Sequence, residues 1–282
     1  MLAIERQREI LRALSEQPSV RVTDLAIRFQ VAEETIRRDL DKLSAEGKLV
    51  RSHGGAVAAI EAEQPHKQRE LLNQLQKEAI AREALRLIEP GDTIALDASS
   101  SSWFIARQLP DMHLTVITNS LHVCIALDGR EQINVICTGG SLVRTSMSLV
   151  GTATIGFLGR YHASKLFFSC RALDLQRGLS DISEDQAAVR QAMLKISERH
   201  ILLMDSSKWG ARALSIVAPL QEVHCIITDS NTPAADCQTL REAGIEVISA
   251  LAPTIDRNGG SGKSGIIQTE KIDKVSGLSV TN

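Results

Sequence analysis

Hydrophobic residues in the first 57 positions recur at helical spacing in three successive segments. Their apolar stripes are Ile4, Ile10, Leu11 and Leu14, then Leu25, Ala26 and Phe29, then Ile36, Leu40 and Leu43. Thr23 stands where it can cap the second helix, and the third helix is expected over about residues 33–46, before Gly47. Segment 48–57 alternates and contains a glycine pair, which is typical of a small β-hairpin. The pattern therefore predicts a module of three helices and a hairpin over residues 1–57.

From Lys77 onward, short apolar runs alternate with amphipathic segments. The runs cover residues 93–96, 114–118, 133–137, 165–169, 200–204, 224–228 and 245–249, and the amphipathic segments include 77–89, 183–199 and 234–243. Apolar strands separated by helices are typical of an α/β domain with a largely parallel sheet. We expect this domain to span residues 77–252, after a polar linker at 58–76. Residues 253–282 lose this rhythm and become rich in Gly and Ser, so we expect a disordered tail there.

Composition excludes several classes of protein. Hydrophobic residues make up 43% of the chain and charged residues 23%, which is ordinary for a soluble globular protein. The five cysteines include no C-x-x-C pair, which favours reduced thiols over a disulfide framework or a zinc site. No apolar stretch approaches the roughly 18 residues of a membrane helix, and charges near the N-terminus replace an apolar signal core. We therefore expect a cytoplasmic protein. The net charge of −2 argues against general polyanion binding but permits a local basic surface.

The side of the third helix opposite its apolar stripe carries residues suited to DNA. These are Thr35, Arg37, Arg38 and Lys42, followed in the hairpin by Lys48, Arg51 and His53. A helix fits the major groove, where Arg can donate two hydrogen bonds to guanine or bind phosphate. Residues 1–57 contain ten basic and nine acidic residues, so the prediction depends on the clustering of basic residues at 37–51. The alternative is a solvated surface, or one that binds a peptide or a second copy of the chain.

Small polar residues follow the carboxyl ends of several predicted strands. The clusters are DASSSS (97–102), TNS (118–120), TGG (138–140), SC (169–170) and DSSK (205–208). Ligands bind at this edge of an open parallel sheet, and hydroxyls, helix N–H groups and a lysine suit a phosphate or a polyol. No G-x-G-x-x-G or G-x-x-x-x-G-K-[ST] sequence occurs, so a dinucleotide or nucleoside triphosphate is not expected. The alternative for each single cluster is that its residues only cap helices and form turns.

Residues 22–57 carry the motifs of a known family. The sequence T-I-R-R-D-L (35–40), followed by R-x-H-G-G-A (51–56), resembles the winged helix-turn-helix of the DeoR family of bacterial sugar-metabolism regulators. The resemblance implies that Thr35, Arg37 and Arg38 belong to the recognition helix. Ala32 departs from the Ser that the family usually has ahead of this helix, and a missing cap costs on the order of 1 kcal/mol.

The resemblance extends to about residue 250 and implies a sensor domain with the fold of ribose-5-phosphate isomerase. By position, it implies ligand contacts from Asp97, Ser99, Ser100, Ser101, Ser102, Thr118, Asn119, Ser120, Gly139, Gly140 and Lys208. The family's G-A-D-G-I-D segment reads SCRALD at 169–174 and keeps only Asp174, which we include in the expected site. Arg171 adds a cation at the expected mouth of the pocket, suited to a carboxylate or a second phosphate. The alternative to this ligand-binding role is that Arg171 forms a surface ion pair with Asp174 or Asp181.

The resemblance implies a regulator of transcription that binds a ligand without turning it over. We expect a repressor of a carbohydrate-catabolism operon, released from double-stranded operator DNA by a phosphorylated sugar or sugar acid. A dimer or tetramer is expected because one small module offers limited contact with DNA. No cofactor and no metal are expected.

Two alternatives to this repressor share its domains. One is a sugar-phosphate isomerase with an accessory DNA-binding domain. Isomerisation needs a base, and Gln186, where the family usually has Glu, cannot act as one. The other is a ligand-dependent activator.

Overall fold

Three helices and a three-stranded sheet form the N-terminal part of the structure, a computed structural model that describes residues 3–16, 19–45, 49–52, 54–58 and 65–251. In chain order the elements are α1 (Ala3–Glu16), β1 (Ser19–Arg21), α2 (Val22–Phe29), α3 (Glu33–Ala45), β2 (Leu49–Ser52) and β3 (Gly55–Ala58). Strand β3 lies between β1 and β2 and is antiparallel to both. The predicted three helices and hairpin are confirmed.

The three predicted apolar stripes meet in one core. Their buried members include Ile10, Leu14, Leu25, Phe29, Ile36, Leu40 and Leu43. A buried ion pair reinforces this packing, because Arg6 Nε of α1 lies 2.5 Å from Asp39 Oδ2 of α3. The predicted cap at Thr23 is wrong. Helix α2 begins two residues earlier than that cap requires, at Val22, with Arg21 in the cap position and no side-chain cap hydrogen bond.

Seven parallel strands form the main sheet of the second part. All strands from residue 93 onward are β4 (Thr93–Leu96), β5 (Leu114–Thr118), β6 (Ile133–Cys137), β7 (Ser141–Val143), β8 (Ser148–Val150), β9 (Ala163–Phe168), β10 (Ala172–Asp174), β11 (Gly178–Asp181), β12 (Ser197–Met204), β13 (Ser215–Ala218), β14 (Cys225–Asp229) and β15 (Glu246–Ala250). The main sheet has the order β15-β14-β12-β9-β4-β5-β6. Each of the seven predicted apolar runs overlaps one of its strands, so the predicted α/β class is confirmed.

Helices cover both faces of this sheet. They are α4 (His66–Leu71), α5 (Gln74–Leu85), α6 (Ser100–Gln108), α7 (Leu121–Ala126), α8 (Thr152–Leu158), α9 (Glu184–Lys195) and α10 (Ala234–Glu242). Successive strand residues point to opposite faces. Phe167 therefore packs with residues of α5 and α6, whereas its neighbour Phe168 packs with residues of α8 and α9. Both side chains are fully buried.

Two smaller antiparallel pieces accompany the main sheet. Strands β10, β11 and β13 form a three-stranded sheet, and β7 pairs with β8. Residues of β10, β11 and β13 belong to the same apolar core as Phe168 and α9. The alternation of apolar runs and amphipathic segments in the sequence did not predict these short strands.

The predicted domain boundaries remain a prediction. Helix α4 and the start of α5 fall within the segment predicted as a linker, of which residues 65–76 are described. The predicted tail at 253–282 lies outside the described residues. Within the part of the chain that the structure describes, no helix combines the length and the apolar character needed to cross a membrane.

Candidate functional site

Helix α3 presents its predicted basic residues to solvent. The Arg38 side chain is 79% exposed and lies 3.4 Å from Glu34. Arg37 is 49% exposed, and its Nη2 lies 2.7 Å from Glu33 Oε2. Lys42 is exposed and Thr35 half-buried on the same helix. Exposed ion pairs contribute little to stability, so both arginines can exchange their Glu partners for phosphate or base acceptors.

The hairpin packs against α3 through Arg51. Its Nε lies 2.9 Å from Asp41 Oδ1, and its Nη1 donates to the Gly55 carbonyl oxygen at 2.9 Å. These contacts hold the hairpin beside the helix that carries Arg37 and Arg38. Lys48 and His53, the other two hairpin residues predicted to contact DNA, lie outside the described residues.

Asp97, directly after β4, is a buried hub at the carboxyl edge of the sheet. Its carboxylate is 1% exposed and accepts four hydrogen bonds. Oδ1 accepts from Ser102 Oγ at 2.6 Å and from the Ser99 N–H, and Oδ2 accepts from Arg190 Nε at 2.8 Å and from the Ser169 N–H. Burial alone would raise the pKa of Asp97, but Arg190 and the serine hydrogen bonds hold it below its usual value. The hub fixes the loop between β4 and α6.

The serines after Asp97 form the start of helix α6. Ser99 caps the helix by accepting from the Ser102 N–H at 3.1 Å, which is the local role that the alternative interpretation assigns. Ser100 and Ser101 are buried in its first turn. The helix begins at the carboxyl edge, so its free N–H groups face the region where a ligand of this sheet would lie.

The next strand end places Thr118, Asn119 and Ser120 beside this loop. Thr118 Oγ1 donates to the Leu96 carbonyl oxygen at 2.7 Å, and Ser120 caps α7 by accepting from the Val123 N–H. Asn119 Nδ2 donates to the Leu149 carbonyl oxygen, whereas its Oδ1 is buried without a partner among the described residues. Asn119 thus keeps one acceptor available for a ligand.

Gly139 and Gly140 follow β6 and approach helix α8. The Gly139 carbonyl oxygen accepts from Thr154 Oγ1 at 2.6 Å. Gly140 has a φ of 132°, and a Cβ there would lie 2.6 Å from the Val150 carbonyl oxygen. Only glycine fits this position without a shift of the backbone. The two residues shape the edge through their backbone.

Lys208 connects the end of β12 to the Asp97 hub. Its Nζ donates to Ser169 Oγ at 2.7 Å, while the Ser169 N–H donates to Asp97. Burial alone would raise the pKa of Asp205, which also lies at this end of β12. Lys208 and Ser207 outweigh the effect of burial, so the pKa of Asp205 lies below its usual value. Hydrogen bonds therefore bring Asp97, Ser99, Ser102 and Lys208 together as predicted neighbours.

Two regions of the chain match known protein families. Residues 6–61 match the DeoR-like helix-turn-helix domain, and residues 72–230 match the DeoR C terminal sensor domain. The chain belongs to the DeoR family. Because its relatives are named as regulators of transcription, it is a transcriptional regulator and not an enzyme.

Similar proteins of this family include both repressors and activators. The uncharacterized HTH-type transcriptional regulator YulB of Bacillus subtilis is 45% identical over 88% of this chain and 96% of that protein. The L-fucose operon activator of Escherichia coli is 37% identical over 83% of this chain and 98% of that protein. The transcriptional repressor AccR of Agrobacterium fabrum is 34% identical over 81% of this chain and 90% of that protein.

One similar solved structure is ribose 5-phosphate isomerase A from Methanocaldococcus jannaschii. It has a TM-score of 0.37 and 17% identity, covering 49% of this chain and 55% of that chain. Nothing about the activity of the DeoR-family regulator follows from a similarity at this level.

Gln186, the residue that weighed against an isomerase, donates to Ser148 Oγ at 2.6 Å and to Ser146 Oγ at 3.0 Å.

The regulator also places residues at this edge that the sequence analysis assigned to a linker or left out. Asn73 Nδ2 donates to Asp205 Oδ1 at 2.8 Å. Lys77 is buried, and its Nζ donates to the Arg69 and Leu72 carbonyl oxygens. Burial first, and then the charge of Lys208, lower the pKa of Lys77 to about 8. The sequence around Lys77 does not distinguish it from a solvent-exposed lysine, so this cation could not be predicted.

Asp174 and Arg171, the other two residues predicted to contact the ligand, lie at strand β10. Asp174 accepts from the Gln176 and Arg177 N–H groups and pairs with Arg212, beside a cavity of about 300 Å³ that Trp209 also lines. Within the described residues, no hydrogen bond joins the Asp174 side chain to Asp97. Arg171 is exposed, and its N–H donates to the Ser180 carbonyl oxygen at 3.1 Å. Ligand contacts from these two residues remain a prediction.

Proposed function

We propose that this regulator represses a carbohydrate-catabolism operon and releases its operator when a phosphorylated sugar or sugar acid binds at the carboxyl edge of the sheet. The observation that carries the proposal is the grouping of two cations, Lys77 and Lys208, around one carboxylate, Asp205, where Lys208 Nζ also donates to Ser169 Oγ at 2.7 Å. Two positive charges around one negative charge favour the binding of a further anion. A phosphate or carboxylate is the corresponding ligand.

Polar atoms without partners support the sugar part of the ligand. Asn119 Oδ1 and Thr138 Oγ1 are both buried, and neither has a hydrogen-bond partner among the described residues. Unpaired buried polar atoms are costly, and the hydroxyls of a sugar can satisfy them. Because the L-fucose operon activator is named for a sugar operon, a carbohydrate operon is the class of target that we propose here.

DNA binding in this proposal depends on helix α3. Arg37 and Arg38 would contact the major groove, while Arg51 positions the hairpin on the neighbouring backbone. Two copies of the module on repeated half-sites would supply enough contact for specific binding. Release by the effector requires that it bind the DNA-competent state more weakly than the other state, and a tenfold effect corresponds to about 1.4 kcal/mol of coupling.

Fluorescence anisotropy tests the proposal. Full-length protein is titrated onto DNA from upstream of its own gene and the neighbouring operon, at fixed salt because phosphate contacts make affinity salt-dependent. The titration is repeated with sugar phosphates and phosphorylated sugar acids, using the unphosphorylated sugars and inorganic phosphate as controls.

The proposal expects specific binding that one phosphorylated compound weakens at least about tenfold, with little effect of its unphosphorylated form. Tighter DNA binding with the compound would instead indicate an activator or a corepressor-dependent regulator. Equal affinity for upstream and random DNA would contradict the assignment of α3.

A further inference from the structure

Two histidines and a glutamate lie together between helices α4 and α7. His66 and Glu70 are four residues apart on α4, and the His66 Nδ1 and Glu70 Oε1 atoms are 2.6 Å apart. The His122 ring of α7 stacks on the His66 ring, with 3.8 Å between the ring centroids. One ligand atom from each of the three side chains lies within 4.8 Å of the other two.

One nitrogen of this cluster is buried without a partner. The His66 side chain is 2% exposed, and its Nε2 has no hydrogen-bond partner among the described residues. The ring nitrogen that faces Glu70 is Nδ1, so a metal shared with Glu70 would take the place of the proton between these two atoms. Nε2 would then carry the proton of the neutral, metal-bound imidazole. The ring edge meets Trp103 at a centroid distance of 5.7 Å, so the position of the imidazole is fixed by packing.

We propose that His66, Glu70 and His122 form a binding site for a transition-metal dication of the Zn²⁺ class. Two imidazoles and one carboxylate are a donor set that zinc accepts, with water in the fourth position. Zinc holds nitrogen donors at about 2.0–2.1 Å, so two donors around it are about 3.4 Å apart. Rotations of the half-buried Glu70 and His122 side chains that shorten these separations by up to about 1.4 Å would be needed to close the site around zinc.

The surroundings of the cluster have opposing effects on a bound cation. Arg69 and Lys77 bring positive charge close to His66, and Lys67 does so at His122, which reduces the affinity of the cluster for a dication. Lys77 Nζ is engaged by two backbone carbonyl oxygens, and Glu70 contributes the opposing negative charge.

The position of the site gives the metal a structural consequence. His66 and Glu70 lie between the two regions that match family domains, residues 6–61 and 72–230, whereas His122 lies inside the second. A bound metal would therefore fasten the connecting segment to the sensor domain.

Calorimetric titration of the full-length, chelator-treated protein with Zn²⁺ tests the site. The wild type should bind one Zn²⁺ per chain, and Co²⁺ in its place should give visible absorption typical of a nitrogen and oxygen site. His122→Ala and Glu70→Gln should each weaken binding at least about tenfold. Glu70 is half-buried on α4, so its isosteric replacement tests the ligand even if His122→Ala proves unstable; circular dichroism monitors folding of both.

Two control variants separate this site from other zinc ligands. His162→Ala removes an exposed His–Glu pair, in which His162 Nε2 lies 3.0 Å from Glu198, and should leave Zn²⁺ affinity unchanged. Cys124→Ser removes one of two thiols close enough to interact with each other. Zinc binding that persists in folded His122→Ala and Glu70→Gln but disappears in Cys124→Ser would overturn the proposal. Absence of zinc binding to the wild type would do the same.

Discussion

Arg190 of α9 binds Asp97 at the end of β4, with 2.8 Å between Nε and Oδ2, and both side chains are almost fully buried. The other end of the guanidinium lies 2.9 Å from Asp181 Oδ2 at the end of β11. One arginine therefore joins the main parallel sheet, the small antiparallel sheet and helix α9. The side chains that Arg190 contacts in these two ion pairs are both acidic, so Arg190 stabilises the carboxyl edge of the sheet.

Replacing Asp97 by Asn should destabilise the protein. The change removes the charged partner of Arg190 Nε, while Asp181 still balances the guanidinium charge, and loss of a hydrogen bond to a charged group costs about 1.5–3 kcal/mol. The free energy of unfolding, measured with urea, checks this value. Glu198→Gln is the control, because Glu198 forms an exposed pair with His162 and should change stability by less than about 0.5 kcal/mol. Equal stability of Asp97→Asn and wild type would show that the hub is not structural.

The same variant should alter the acid dependence of stability. Burial opposes ionisation of Asp97, but Arg190 and the serines lower its folded-state pKa below 3.8. A carboxylate of this kind stabilises the folded state above its unfolded pKa and loses that contribution as the pH falls through the folded pKa. The stability difference between wild type and Asp97→Asn should therefore be complete above pH about 4 and shrink below it. A difference that stayed constant with pH would contradict the ionised state of Asp97.

Local periodicity was sufficient to predict the main architecture. The stripe of Ile36, Leu40 and Leu43 belongs to a helix that buries one side, and that helix extends over Glu33–Ala45 as expected. The parallel strands were found because both faces of the sheet are covered, which makes runs such as 114–118 nearly continuous in hydrophobicity. The grouping of Asp97 with Lys208 followed from the rule that strand ends of a parallel sheet share one edge.

Features that depend on contacts distant in sequence were not predicted. Strand β10 has only three residues and pairs with β11 across a tight turn, too short for a periodic signal. Lys77 approaches the edge because α5 packs on the main sheet, and nothing in its neighbouring residues indicates that. Arg190 contacts Asp97 across 93 positions of the chain. No feature of the residues around Arg190 predicts this contact.

Replacing Arg38 by Ala should weaken operator binding by about 10- to 100-fold, since a base contact by Arg contributes about 1–3 kcal/mol. Arg38 is 79% exposed, so its removal should leave folding intact. Fluorescence anisotropy at fixed salt gives the dissociation constants. Arg86→Ala is the matched control, because Arg86 is 73% exposed and paired with Glu83 in the other part of the chain. Similar affinities for the two variants would place the DNA-contacting surface elsewhere.

Replacing Lys208 by Ala should separate DNA binding from effector response. The variant should bind operator like the wild type, while the effector concentration for half-release should rise about tenfold or more, since a hydrogen bond to a charged group is lost. Both values come from anisotropy titrations. Lys195→Ala removes an exposed lysine at the end of α9 and should change neither value. Full responsiveness of Lys208→Ala would move the anion site away from the end of β12.

Binding of an anionic effector should be accompanied by proton uptake at pH about 8. Burial and Lys208 lower the pKa of Lys77 to about 8, so in the free protein this lysine is about half protonated at that pH. A phosphate beside it favours the charged form and raises the pKa, and the complex should take up as much as about half a proton. Calorimetry in two buffers of different ionisation enthalpy measures the number of protons taken up.

Lys77→Gln should abolish the uptake. Lys208→Ala should reduce it, because without the neighbouring charge Lys77 is more fully protonated before the effector binds. Binding with no buffer dependence in the wild type would show that the anion does not lie beside Lys77.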